Sequence, residues 1–234
     1  MNTSNKVAVI TGASQGIGAG LVKAYRDRGA HVVANSRSIR PSDDPHVVTV
    51  PGDIADPAVA ERVIAEAVER FGRVDTLVNN AGVFAAKPFT LEDFETTLRT
   101  NLGGFFFVTQ QAVKQMVAQS GGHVVQITAS IVDQPINGVP AILASITKGG
   151  LNAATKGLAI EYAGRGIRVN AVAPGVIKTP MHPLETHGAL AGLHPVGRMG
   201  EVREIVDAVL FLEDAAFVTG EILHVDGGQS AGHW

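Results

Sequence analysis

The chain contains no cysteine, which excludes disulfides, thiolate nucleophiles and cysteine-based metal centres. Aromatic residues make up only 5% of it, and just two are tyrosines, so a tyrosine-dependent chemistry has very few residues to draw on. No apolar run approaches the ~20 residues of a membrane span. The segment 1–5 is short and polar and opens directly into a strand-like run, so no signal peptide is expected and a cytoplasmic location is the default. Neither sign of charge dominates: 19 Lys and Arg against 22 Asp and Glu leave a formal net charge of -3. The basic excess of a nucleic-acid surface is missing, and neither nucleic acid nor membrane is an expected partner.

What is present is 234 residues, 45% apolar and 18% charged, enough for a substantial core in one large domain or two small ones. Short apolar, β-branched runs at 6–11, 30–35, 47–50, 74–79, 123–128, 167–172 and 222–225 suit strands buried on both faces. Between them, 17–28, 58–71, 91–119, 140–163 and 202–212 have helical length and spacing. This alternation predicts a parallel sheet of about seven strands with helices on both faces. One doubly wound, Rossmann-type α/β domain over 1–234 is the simplest arrangement, since no linker, repeat or low-complexity tract divides the chain.

In such a sheet, ligands bind beyond the carboxyl ends of the strands. The least regular stretch, 178–200, follows the sixth strand and carries Pro180, Pro183 and Pro195, so it is the expected substrate lid. Its histidines, His182, His187 and His194, match no compact metal-ligand spacing, and no metal is expected.

After the first strand comes Thr11-Gly12-Ala13-Ser14-Gln15-Gly16-Ile17-Gly18. Glycines at Gly12, Gly16 and Gly18 permit a tight turn and close backbone approach, and the helix that follows offers unpaired N–H groups to a pyrophosphate. Alone, the pattern also fits a glycine-rich strand-to-helix corner. The second strand ends Asn35-Ser36-Arg37-Ser38, with Arg40 nearby and no carboxylate. A cation there suits a 2′-phosphate, whereas a carboxylate would suit a free 2′-hydroxyl. NADP(H) is therefore expected over NAD(H), although Arg37 is also compatible with simple solvation.

Together with Asn79-Asn80-Ala81-Gly82, Asn101, Lys148, Pro174-Gly175-Val176-Ile177-Lys178-Thr179 and Val225-Asp226-Gly227-Gly228, this turn resembles the classical short-chain dehydrogenase/reductase family over nearly the whole length. The resemblance implies a dinucleotide held by Gly12, Ser14, Gln15, Gly16, Ile17 and Gly18, by Ser36 and Arg37 at the 2′ position, and by Asp53 and Ile54 at the adenine. Gln15 stands where many NADP-preferring relatives carry Arg or Lys. Asn80, Ala81 and Gly82 would lie along the cofactor, Lys148 would bind the nicotinamide ribose, and Pro174, Gly175, Ile177 and Thr179 would hold the nicotinamide amide. It also implies a small-molecule substrate and a homodimer or homotetramer, built through helices 91–119 and 140–163 and the C-terminal segment ending at Trp234.

The catalytic residues implied are Asn101, Ser130 and Lys148, with Ala129 as the alternative occupant of the serine position. Four residues before Lys148, where the family's proton-donating tyrosine would stand, the chain has Ala144. Tyr25 and Tyr162 lie too far along the chain to substitute and are expected to be packing residues. A positioned acid contributes about 10²–10⁴ in rate, so three accounts stay open. Another group supplies the proton: Asp133, Ser145 or Thr147 through water, or a lid residue. Alternatively the substrate is already cationic, as an iminium is. In the third account the protein binds NADP without turning it over, as a sensor or assembly partner.

Overall fold

The computed structural model describes residues 5–84 and 90–232; the polar residues 1–4 and Trp234, on which two expectations rest, lie outside them. Seven strands, β1 (Val7–Thr11), β2 (His31–Ser36), β3 (Val47–Pro51), β4 (Thr76–Asn79), β5 (Gly122–Ile127), β6 (Ile167–Pro174) and β7 (Ile222–Val225), form one sheet in the order β3-β2-β1-β4-β5-β6-β7. Every pairing is parallel. The order reverses between β1 and β4, and that switch point opens the crevice in which ligands of such sheets bind.

The two-residue period of a strand explains how one apolar run serves two cores. Val7 and Val9 of β1 pack on one face with α2 (Pro57–Phe71) and α4 (Gly104–Ala118), through Val63, Ala67, Val108 and Met116. Ala8 and Ile10 pack on the other with α1 (Gly16–Asp27) and α7 (Val202–Asp214), through Leu21, Tyr25, Ile205 and Leu212. Burial on both sides is why these strands read as continuous hydrophobic runs.

The expected helix at 91–119 is broken. It comprises α3 (Leu91–Leu98), a π-turn at Arg99–Gly103, and α4. The π-turn carries Asn101, whose side chain is clamped to a neighbouring loop. At Gly104 a Cβ would lie 2.8 Å from Ile54 Cγ2, so only glycine lets α4 approach the loop after β3 this closely. The helix expected at 140–163 is α5 (Ile142–Tyr162). Within 178–200 the chain forms a 3₁₀ turn at Leu184–Thr186 and a short α6 (His187–Ala191).

At the amino ends of the strands, opposite the crevice, lies a buried polar hub. Glu213 on α7 accepts hydrogen bonds from Lys6 Nζ at 2.9 Å, Thr76 Oγ1 at 2.8 Å and Tyr25 OH at 3.4 Å, and pairs with His123 Nδ1 at 3.1 Å. Tyr25 is thus a core residue, and Tyr162 packs half-buried against the α2/α4 core.

Candidate active site

A cleft of about 720 Å³ opens at the carboxyl ends of the strands. It runs from Ser36 and Arg37 across the glycine turn and Asn80–Gly82, past Lys148, to an apolar end formed by Ile131, Ile136, Val139, Met181, Leu190 and Leu193. Except for Gly18, which packs beneath the turn, every residue assigned from the sequence to the dinucleotide lines this cleft.

The glycine turn is built from backbone contacts. Gly12 and Gly16 have φ of +65° and +55°, the left-handed region that glycine enters without strain. At Gly18 a Cβ would lie 2.2 Å from the Gly12 carbonyl oxygen. Asn80 Nδ2 donates to the carbonyls of Thr11 at 3.0 Å and Gly12 at 3.1 Å, while Thr11 Oγ1 accepts from the backbone N–H groups of Asn80 and Ala81 at 3.1 and 3.0 Å. The turn and the Asn80–Gly82 loop are therefore stitched together across the switch point. No side chain caps the amino end of α1, which leaves its field directed into the cleft.

At the end of β2, Asn35 Nδ2 donates to the carbonyls of Val50 and Gly52 at 2.9 and 3.2 Å, closing β2 against β3. Beside it, Ser36 Oγ is buried without a partner. Arg37 is exposed and has no hydrogen-bond or ion-pair partner among the described residues. An unpartnered hydroxyl and an exposed guanidinium on adjacent residues are groups that can receive an anionic ligand. Asp53 accepts from the N–H of Ala55 at 3.0 Å, which shapes the turn that presents Ile54 to the cleft.

Lys148 reaches between β4 and β5. Its Nζ donates to the Ile127 carbonyl at 2.7 Å. A Cβ at Gly82 would lie 3.1 Å from Lys148 Nζ and 3.2 Å from Asn101 Oδ1, so glycine leaves the lysine its space. Burial with no opposing carboxylate lowers the Lys148 ammonium to about 8. Asn101 is fully engaged: its Oδ1 accepts from Val83 N–H at 2.8 Å, and its Nδ2 donates to Val83 O at 3.0 Å and Thr147 Oγ1 at 3.1 Å. These bonds position the loop that carries Gly82 and leave the amide nothing further to donate.

The structure separates the remaining candidates. Asp133, one of several candidates for a replacement acid, does not line the cleft; its carboxylate meets His224 Nε2 on β7 at 2.8 Å, at the sheet edge. Its place in a loop near the site in sequence gave no hint of that direction. Ser130 is 1% exposed and donates to Gln229 Oε1 at 2.5 Å, so its hydroxyl is spent on the C-terminal segment. Ala129 precedes it in extended backbone and lines the cleft. Ala144 sits one turn before Lys148 but beneath the cleft wall, packed with Ile131, Ala141, Ile136 and Val139. Replacing it with tyrosine overfills this cluster, and the Ala144→Tyr variant is expected to lose about 1–3 kcal/mol of stability, read as a lowered denaturant midpoint. A midpoint equal to wild type would show that the cluster makes room.

Past Pro174, the segment toward Thr179 is held by Gly175 N–H donating to Val225 O at 3.1 Å, Val176 N–H donating to His194 Nε2 at 2.9 Å, and Lys178 N–H donating to Gly200 O at 2.9 Å. Thr179 closes over the glycine turn, 3.2 Å from where a Cβ of Gly16 would lie. The lid histidines do not converge. His182 lines the cleft, His187 bonds the His182 carbonyl, and His194 is buried under Gly175. Among the described residues no group of three or more His, Cys, Asp or Glu is placed to hold a metal ion. Gln229, Val83 and Leu193 belong to the site but carry no motif; their membership comes from loops that meet only in the fold.

This fold and site define an oxidoreductase of the Rossmann type. The family model described as enoyl-(acyl carrier protein) reductase matches residues 12–230. The chain is 37% identical to the 3-oxoacyl-[acyl-carrier-protein] reductase of Escherichia coli, over 97% of this chain and 98% of that protein. It is 34% identical to a (2S)-[(R)-hydroxy(phenyl)methyl]succinyl-CoA dehydrogenase subunit of Thauera aromatica, over 98% of each. Among solved structures, ElxO with NADP bound superposes with a TM-score of 0.90 at 31% identity, covering 97% of this chain and 99% of that one. A Serratia marcescens short-chain dehydrogenase/reductase variant superposes at 0.89 and 31% identity, covering 98% and 100%. The chain belongs to the short-chain dehydrogenase/reductase family.

Proposed function

We propose that this protein is an NADP(H)-dependent oxidoreductase that moves hydride between the dinucleotide and a small, largely apolar carbonyl or imine, in a site where Ala144 replaces the family's tyrosine acid. The observation that carries this reading is the continuity of the cleft: one anion-binding end at Ser36 and Arg37, a backbone cradle at the glycine turn, and an apolar end beyond Lys148. When bound, the dinucleotide supplies or accepts the hydride.

The chain's own residues do the rest. The amino end of α1 and the turn receive a pyrophosphate. Ser36 Oγ and Arg37 fit a 2′-phosphate, and NADP in the ElxO structure accords with that. Lys148 keeps two N–H groups free, since only one is spent on Ile127, and one of them suits a ribose hydroxyl. The segment 178–200 acts as the lid: Met181, Leu190 and Leu193 exclude water from the reacting end. Exposed Phe106, Ile142, Ile146 and Ile160 on α4 and α5 support assembly as a homodimer or homotetramer.

The close packing over Ala144 favours a second reading, a catalytically silent NADP-binding protein. One experiment separates the two: NADPH oxidation by purified protein against panels of carbonyls and imines, with cofactor binding titrated alongside. Turnover on either panel supports the oxidoreductase, and tight binding with no turnover supports the silent protein. The cofactor assignment has its own test. Arg37→Ala is expected to weaken NADPH about 10–100-fold, the value of one charge-assisted contact, while NADH affinity changes less than about threefold. Equal losses for both dinucleotides would remove Arg37 from the 2′ site.

A further inference from the structure

Among the described residues lining the cleft, only Arg37, Asp53, Lys148 and His182 carry titratable side chains. Arg37 and Asp53 lie at the β2/β3 end, away from the reacting end, and a guanidinium does not release a proton in this pH range. His182 belongs to the lid, where burial and then the neighbouring His187 lower its pKa and favour the neutral ring.

Three hydroxyls near Lys148 are committed. Thr128 Oγ1 donates to Val172 O at 3.3 Å, Ser130 Oγ to Gln229 Oε1 at 2.5 Å, and Thr147 Oγ1 to Leu143 O at 2.8 Å. Ala129 and Ala144 contribute none. An ammonium has three N–H groups, and Lys148 spends one, on Ile127 O. The elements packed around it present no charge: Ile127 to Ser130 after β5, Asn80 to Gly82 after β4, Asn101 on the π-turn, and Ala144 and Thr147 on α5 are all uncharged. Among the described residues, His182 is the other titratable group lining the lid side of the cleft.

We propose that the ε-ammonium of Lys148 is itself the proton donor to a carbonyl substrate in this protein, acting directly where the family relays the proton through tyrosine. This assignment rests on the oxidoreductase reading above. In the reducing direction the carbonyl carbon gains a C–H bond from the hydride pair of the reduced nicotinamide dinucleotide, which leaves oxidised. The C=O π pair takes a proton from Nζ; one N–H bond breaks, one O–H bond forms, and Lys148 is left as a neutral amine that regains its proton from solvent. The lowered affinity of the half-buried amine for its proton, about 8, places the group where a general acid works near neutrality.

The first test uses protein without cofactor, labelled with carbon-13 at lysine side chains and titrated by NMR. One lysine resonance is expected to titrate near pH 8 and to be missing in Lys148→Met. The second is kinetic. Wild-type kcat/KM for carbonyl reduction is expected to fall as pH rises through about 8, whereas a quaternary iminium, which needs no proton, shows no such limb. Lys148→Arg and Lys148→Gln keep N–H donors but cannot give up a proton near neutrality. Both are expected to lose about 10²–10⁴ more in carbonyl turnover than in iminium turnover, any weakening of NADPH being common to the two substrates and read separately by titration. Carbonyl and iminium turnover lost equally, or a Lys148 that titrates only near 10.5, would reduce the residue to a cofactor anchor and overturn the assignment alone. No wild-type turnover of either substrate overturns the proposed function together with it.

Discussion

Glu213→Leu is expected to cost about 3–5 kcal/mol, the usual loss when one partner of a buried ionic cluster is removed, and to lower the thermal midpoint by roughly 6–20 °C for a chain of this length. The carboxylate answers four donors drawn from the segment before β1, from α1, β4 and β5. Without it, the Tyr25 and Thr76 hydroxyls and the His123 ring lose their acceptor in the core. Glu213→Gln, which keeps an acceptor oxygen, is expected to fall between. A leucine variant melting within about 2 °C of wild type would show that the hub is replaceable by apolar packing, as some buried ion clusters are.

The hub also sets a pH dependence. Burial alone would raise the Glu213 carboxyl, but the hydrogen bonds and charges of His123 and Lys6 outweigh it and hold it well below the usual carboxylate range. His123 is lowered, chiefly by burial and against the pull of Glu213. Both folded-state values lie below the unfolded ones, so both contributions are present above the unfolded pKa and are lost as pH falls toward the folded one. Wild-type stability is thus expected to decline from about pH 6.5 downward. The gap between wild type and Glu213→Leu narrows below about pH 4.5, as denaturant melts across this range would show.

Gly18→Ala is expected to weaken dinucleotide binding by up to about 100-fold. A methyl group would lie 2.2 Å from the Gly12 carbonyl oxygen and 2.7 Å from Asn80 Nδ2. The carbonyl is backbone and cannot swing aside, so the turn must open. Overpacking of this kind costs about 1–3 kcal/mol, and spent on the bound geometry it amounts to a one- to two-decade rise in Kd. Titration of NADPH against the variant measures it, with a thermal melt to confirm folding. An unchanged Kd would mean that the turn tolerates displacement and that its geometry does not hold the ligand.

Much of this molecule was legible in the chain. The seven strands read correctly because strands buried on both faces need unbroken apolar runs. The glycine turn read correctly because Gly12 and Gly16 need positive φ and Gly18 needs the absence of a side chain. Arg37 stood out because charge at the end of β2 is a local property. The helical segment at 91–119 is divided by a π-turn that the spacing did not foretell, since that turn coincides with Asn101 binding Val83 from a loop eighteen residues earlier. Asp133 was legible as a carboxylate near the site, but its pairing with His224 depends on a strand ninety-one residues later.

The sequence by itself determined the doubly wound sheet, the glycine turn, the cation near it and the alanine one turn before Lys148, because each is a property of residues close together along the chain. Only the tertiary structure decided which protons are free to move. The hydroxyls of Ser130, Thr128 and Thr147 are spent, Asp133 faces away and Ile131, Ile136 and Val139 cover Ala144. Most of those partners are set by packing between segments far apart in sequence, and a side chain's proton is available only when packing has given it no acceptor.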